Sequence, residues 1–107
     1  LQVSHDIDAA YKDADVVYAK SWGARPFFGN WADEKPMRDQ YQHFIVDERK
    51  MALTRDGGKG LFSHCLPLRR NVKATDGVMD SPNCIAIDEA ENRLHVQKAV
   101  MARLLRG

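Results

Sequence analysis

An α/β fold built on a parallel sheet follows from three features of the sequence. Short strand-like segments recur at residues 16–19, 61–65 and 84–87, the first an unbroken apolar run rich in β-formers, the pattern of a strand covered on both faces. Segments with helical spacing alternate with them, which favours parallel strands joined by right-handed crossovers. The 107 residues, 44% hydrophobic and 29% charged, suffice for one small domain and leave little room for a second. The expected architecture is therefore a partial, Rossmann-like parallel sheet with flanking helices.

Leu1-Gln2-Val3-Ser4 reads as a strand already under way. With no initiator Met before it, it marks the chain as an expected fragment of a longer protein. Asp6 is placed to cap a helix through Ala14, on which Ile7, Ala10, Tyr11 and Ala14 share one face. The strand at 16–19 follows. Residues 20–36 contain Gly23, Pro26, Gly29 and Pro36 among Trp22, Phe27, Phe28 and Trp31, the composition of a long aromatic loop, and loops of that length are usually functional. Met37 to Phe44 has room for a turn or two of helix, and Asp47 caps another from Glu48 to Arg55, ended by Gly57, Gly58 and Gly60. Leu61 to Cys65 forms the next strand, limited by Pro67. Thr75 and Asp76 open a short helix, and Ser81-Pro82-Asn83 is a turn. Cys84 to Ile87 is a buried strand, and Asp88 caps the last helix, with Glu91 at capping-box spacing. Leu94, Met101 and Leu105 form a stripe along that helix, flanked by Val100 and Leu104.

Composition excludes several functions. No apolar run approaches the roughly 18 to 20 residues of a membrane helix, so no membrane partner is expected. Sixteen Lys plus Arg against fifteen Asp plus Glu, a net charge of +1, supply no global field for nucleic acid. The cations concentrate locally: Arg55, Lys59, Arg69, Arg70 and Lys73 lie in a stretch with Asp56 as its one acid. Cys65 and Cys84 form no Cys-x-x-Cys pair, so a disulfide scaffold is not expected and a reducing cytoplasm is. Together with His64 and His95 they match no zinc spacing, and no metal is expected.

Ligands of open parallel sheets bind outside the carboxyl ends of the strands. That rule selects Lys20-Ser21-Trp22-Gly23, His64-Cys65-Leu66-Pro67 and Asp88-Glu89, which should share one rim. Arg93, in line with Val100 on the last helix, should face the sheet side and meet either an anionic ligand or an acid such as Asp88 or Glu89. Cys65 is a nucleophile, a substrate contact or a buried small hydrophobe. Extended geometry would point His64 to the opposite face, which disfavours a Cys-His dyad. The run Arg69-Arg70-Asn71-Val72-Lys73 is either a solvated surface or an anion site, and the aromatics of 22–31 are core packing or a lid over a small ligand. These residues suit a small anionic metabolite without naming a reaction.

The segment His64-Cys65-Leu66-Pro67-Leu68-Arg69-Arg70-Asn71-Val72-Lys73, followed by Glu91-Asn92-Arg93-Leu94-His95-Val96-Gln97-Lys98, resembles the aspartate/ornithine carbamoyltransferase superfamily. Lys20-Ser21-Trp22-Gly23 and Phe27-Phe28-Gly29-Asn30-Trp31 are similar to the branch that acts on N-acetylornithine. Ornithine enzymes usually carry Ser-Met-Gly at residues 21–23 and an acidic stretch after His-Cys-Leu-Pro. The resemblance implies an incomplete C-terminal, amino-acid-binding domain over residues 1–107, without the N-terminal carbamoyl phosphate domain, from an enzyme of arginine biosynthesis that works as a homotrimer. It implies carbamoyl phosphate and N-acetyl-L-ornithine as substrates, with N-succinylornithine or ornithine as alternatives, and no cofactor. Cys65 and Leu66, with His64, would hold the carbamoyl group and the attacking amine. Arg93 would stabilise developing negative charge, Lys20 and Arg69 would hold the acylornithine, and Lys73 matches a lysine that can be carboxylated. A non-catalytic α/β small-molecule-binding module is the rival from another class. Arg55-Asp56-Gly57-Gly58-Lys59-Gly60 looks longer than the usual connection, at the end of the sheet away from the rim.

Overall fold

The computed structural model describes residues 1–22 and 25–106. Its first helix, α1 (Ile7–Tyr11), starts where the sequence places it, with the Asp6 carboxylate accepting from Ala9 N–H at 3.0 Å. It stops short of Ala14 because Asp13 turns left-handed, φ 57°, and donates its N–H to Leu53 instead. Residues 1–4 form no strand: Leu1 and Val3 are exposed, and no neighbouring strand is hydrogen-bonded to them among the described residues.

Strand β1 (Val16–Tyr18) pairs in parallel with β2 (Leu61–Ser63), Val17 opposite Phe62 and Tyr18 opposite Ser63. The expected third strand is reduced to one parallel bridge, Phe62 to Cys84, made by Phe62 N–H to Asn83 O and Ile85 N–H to Phe62 O, each 2.9 Å. Helix α6 (Ala86–Arg106) begins three residues earlier than expected, so Asp88 lies in its first turn and is not its cap. A short apolar run that continues into a long helical pattern is where strand and helix are hardest to separate. A second parallel bridge, Val46 to Ala74, ties the loop beyond β2 to the segment before α3 (Glu48–Met51).

The aromatic segment is more ordered than a loop. Arg25–Phe27 is a 3₁₀ turn, and α2 (Trp31–Gln40) is capped by Asn30, whose side-chain oxygen accepts from Asp33 N–H. Pro36 thus sits inside a helix and does not end a loop, and a 3₁₀ turn over Gln42–Phe44 follows. Asp47 caps α3 as expected, but Thr54 starts a separate turn, α4 (Arg55–Gly58), in which Asp56 and Gly57 are left-handed. That turn lies where both parallel strands begin, Arg55 pairing with Asp15 at 2.9 Å, and so at the end away from the rim. Helix α5 (Asp76–Met79) is capped by Thr75.

Val46, Met51, Phe62, Ala74 and Val78 form the core, with Tyr11, Val17, Leu68 and Cys84 packed against it. Phe62 is 0% exposed, and burying such a side chain contributes about 1.5 to 3 kcal/mol. Lys50, also buried, delivers its ammonium to His43 O, Ile45 O and the Asp47 carboxylate, so all three donors are matched. The expected packing of the last helix fails beyond its first turns. Ala86 is buried, whereas Leu94, Val100, Met101, Leu104 and Leu105 are all exposed. No helix is long and apolar enough to cross a membrane.

Candidate functional site

The carboxyl ends of the two strands and the first turn of α6 converge as the sequence predicts. Ser63 Oγ donates to Glu89 Oε2. The Tyr18 hydroxyl lies against the Cys65 thiol and Glu89, and its pKa is pushed up to about 12 by hydrogen bonding to Cys65, then by burial and Glu89. Cys65 is partly buried and, like Cys84, is a free thiol. Strand geometry ends at Ser63, so the alternation that would separate His64 from Cys65 does not extend to them. His64 is 2% exposed, and its Nδ1 accepts from Leu66 N–H at 2.9 Å. Leu66 takes a left-handed φ of 48°, a sparsely populated conformation for a bulky residue that its surroundings must hold. His64 Nε2 is buried with no partner among the described residues. Leaving such a group unmatched costs about 1 to 3 kcal/mol.

The main cleft lies beside this rim. It encloses about 680 Å³ between the 3₁₀ turn, α2 and the loop after Pro67, and Trp22, Phe27, Phe28, Trp31, Arg69 and Lys73 are among its lining residues. That volume suits a small metabolite, so the aromatics are cleft walls and not core. Lys73 is only 6% exposed; its ammonium donates to Trp22 O at 3.2 Å and stands 3.5 Å from the centre of the Trp22 ring. Burial, followed by the charges of Arg38 and Arg69, holds its pKa below the ordinary lysine value against an opposing pull from Glu34.

Arg69 stacks on Trp31 at 3.9 Å and Arg38 on the same ring at 4.4 Å, placing two guanidiniums beside one indole. Arg38 Nε lies 3.3 Å from Glu34 Oε2, a charge contact, and that nitrogen has no hydrogen-bond partner among the described residues. The loop carrying Arg69 and Lys73 is fastened by Arg70, which reaches Asp76 at 2.9 Å and Asp80 at 2.6 Å. Asn71 adds a side-chain bond to Asp76 at 2.7 Å. The basic run therefore divides: Arg69 and Lys73 face the cleft, and Arg70 is structural.

Of the residues selected from sequence, His64, Cys65, Leu66, Arg69 and Lys73 are gathered at or beside this rim. Lys20 is exposed and does not line the cleft, although its charge bears on His64. Arg93 departs from expectation, being exposed on α6 and not turned to the sheet, because the helix leaves the body of the molecule after its first turns. Gly23 lies outside the described residues. Glu89 was selected with Asp88 as part of the rim, whereas Arg38, Glu34 and Tyr18 escaped the sequence reading. The Glu34–Arg38 i,i+4 spacing was the available signal, hidden while residues 31–36 were read as loop. No group of three His, Cys, Asp or Glu side chains among the described residues is placed to hold a metal ion.

The family described as "Aspartate/ornithine carbamoyltransferase, Asp/Orn binding domain" matches residues 1–104. N-acetylornithine carbamoyltransferase of Xanthomonas campestris pv. campestris is 84% identical over 105 residues, 98% of this chain and 30% of the relative. Ornithine carbamoyltransferase of Pyrococcus horikoshii is 42% identical over 107 residues, 100% of this chain and 32% of the relative. The crystal structure of acetylornithine transcarbamylase complexed with acetylcitrulline superposes with a TM-score of 0.81 at 84% identity, covering 96% of this chain and 30% of that one. The chain thus spans about 30% of the length of the N-acetylornithine relatives it matches, and over that span it belongs to the aspartate/ornithine carbamoyltransferase family.

Proposed function

We propose that the protein containing this chain transfers the carbamoyl group of carbamoyl phosphate to the side-chain amine of N-acetyl-L-ornithine. In this reading residues 1–107 are part of its C-terminal, amino-acid-binding domain, and the carbamoyl phosphate domain lies outside them. The observation that carries the reading is the aromatic cleft holding Arg69 and Lys73 at the carboxyl ends of two parallel strands. Identity of 84% to N-acetylornithine carbamoyltransferase over nearly the whole chain supports it. The complete enzyme would be a cytoplasmic homotrimer of arginine biosynthesis.

The uncharged δ-amine of the substrate attacks the carbonyl carbon of carbamoyl phosphate. A C–N bond forms, the tetrahedral intermediate collapses with cleavage of the C–O bond, phosphate departs with the bonding pair, and the amine loses its extra proton. The Cys65–Leu66 backbone, held from beneath by His64, would meet the carbamoyl group and the amine. Arg93 would face the developing oxyanion, which requires an arrangement of α6 different from its exposed position in this chain. Arg69 would pair with the substrate carboxylate, and Lys20 would act at the acyl end.

Lys73 is suited to carboxylation: burial favours its uncharged amine, the form that adds to carbon dioxide with loss of a proton. The resulting carbamate would sit near Arg38 and Arg69, the two cations whose charges already act on it. The test is ureido product formation by the full-length protein from carbamoyl phosphate with N-acetylornithine, N-succinylornithine or ornithine. We expect the highest kcat/KM with N-acetylornithine. Preference for another amine corrects the substrate, and turnover of none favours a non-catalytic binding module.

A further inference from the structure

We propose that His64 is a positioning residue that works only as the uncharged, Nε2-protonated imidazole. In that form its Nδ1 lone pair holds the Leu66 N–H and with it the left-handed Leu66 backbone. The inference deepens the carbamoyl-transfer reading and rests on it for its kinetic consequences, while the tautomer stands on geometry alone.

The ring is 2% exposed, and the 2.9 Å contact is to a backbone N–H, which can only donate. Nδ1 must therefore be the acceptor. A neutral imidazole has one protonated and one bare nitrogen, so the proton resides on Nε2. The Leu66 N–H in turn fixes a peptide whose φ of 48° is unfavourable for leucine, and the His64 acceptor is its hydrogen-bond partner in the structure. Protonating Nδ1 would set one N–H against another and convert an attraction into a repulsion. The Cys65–Leu66 carbonyls that meet the substrate would then lose their support.

The groups facing the ring bias it toward the required state. Burial is the largest influence lowering its pKa; Lys20 beyond β1 and Lys73 from the loop after β2 lower it further, and Glu89 on α6 opposes them. The acceptor is thus retained at neutral pH and lost only as the pH falls through a value below the ordinary 6.5. Neither Lys20 nor Glu89 needs to touch the ligand to act in this way.

The test uses the full-length protein with two substitutions that divide the ring's functions. His64→Asn keeps an acceptor near the Nδ1 position and does not titrate; His64→Gln moves its amide toward the Nε2 position and leaves Leu66 N–H unmatched. The expected result is a KM for N-acetylornithine at least about tenfold higher in His64→Gln than in His64→Asn. The KM of wild type is expected to rise on acidification, and that rise should be absent in His64→Asn. Equal damage in both variants, or an unchanged acid limb in His64→Asn, overturns the proposal.

Nitrogen-15 resonances of His64 in the wild-type protein give a readout independent of activity and of whether either variant folds. A bare Nδ1 and a protonated Nε2 at neutral pH are expected, and an Nδ1-protonated or charged ring refutes the proposal. Failure of the wild-type protein to carbamoylate any amine would overturn the functional reading while these resonances still decide the tautomer.

Discussion

Thr54, 1% exposed, uses its hydroxyl twice: it donates to Met51 O at 2.6 Å and accepts from Gly60 N–H at 3.0 Å. The turn between α3 and β2 hangs on that one oxygen. Thr54→Val keeps the volume and removes the oxygen, leaving a buried N–H unmatched, and should cost about 1 to 3 kcal/mol in chemical unfolding. Gly60 is small for a related reason: a Cβ there would stand 2.6 Å from Thr54 Cβ and 2.8 Å from Ala14 O. Because part of the obstruction is backbone, Gly60→Ala should destabilise by about 1 to 3 kcal/mol, whereas at Gly77 the clash is with the end of the Glu48 side chain, which can move.

Arg70 offers a test by pH. Hydrogen bonds from its guanidinium hold the carboxyls of Asp76 and Asp80 below the usual aspartate value of 3.8. Between the folded and unfolded values the unfolded chain binds more protons, so the stabilisation is present above about pH 4 and fades as the pH falls through the lowered folded values. Arg70→Met should therefore lower the unfolding midpoint at pH 7 and differ less from wild type as the pH falls below the ordinary aspartate value. These contacts are exposed and screened, so the difference should also shrink in high salt. A pH-independent difference would mean that Arg70 acts through packing of its stem.

At the scale of elements, caps were the most legible feature. Asp6, Asp47 and Thr75 each accept the backbone N–H that their helix leaves free, a local event that needs only three residues of sequence. Elements that depend on a distant partner were less legible. Cys84 to Ile87 is apolar enough for a strand, yet it gains one bridge and then joins α6. Pro36 suggested a loop, whereas Asn30 caps a helix that carries it inside. The same contrast runs through the site. Arg69 and Lys73 were identifiable from the motif they share, but their relation to Trp31 and Arg38 depends on α2 folding across the cleft. Arg93 was placed on the right element, but that element has left the body of the molecule where Arg93 stands.

Helix α6 also yields a prediction. Its 21 residues touch the body of the molecule through Ala86 and the turn that includes Glu89, while the apolar side chains from Leu94 onward are exposed. Most helical stability in proteins comes from packing an apolar face. Amide hydrogen exchange in the 107-residue chain should therefore show protection decreasing from Ala86 toward Arg106. Uniform protection along α6 would mean that its exposed stripe is covered, for instance by a second copy of the chain.

For the whole molecule, the radius of gyration is 16.5 Å, against about 13 Å for a compact domain of this length. The extents of 48 × 41 × 29 Å reflect α6 projecting from a core built on two short strands. Beside such a core the aromatics and cations of the cleft form a wall, in a chain that spans about 30% of the N-acetylornithine relatives it matches.

The central claim is that this wall selects the acylornithine and not the carbamoyl donor. Steady-state KM values for both substrates, measured on full-length Arg69→Gln, test it most directly. The account predicts a KM for N-acetylornithine raised at least about tenfold, the loss of one charged hydrogen-bonded pair, with the KM for carbamoyl phosphate within about twofold of wild type. A larger effect on carbamoyl phosphate than on N-acetylornithine would contradict it.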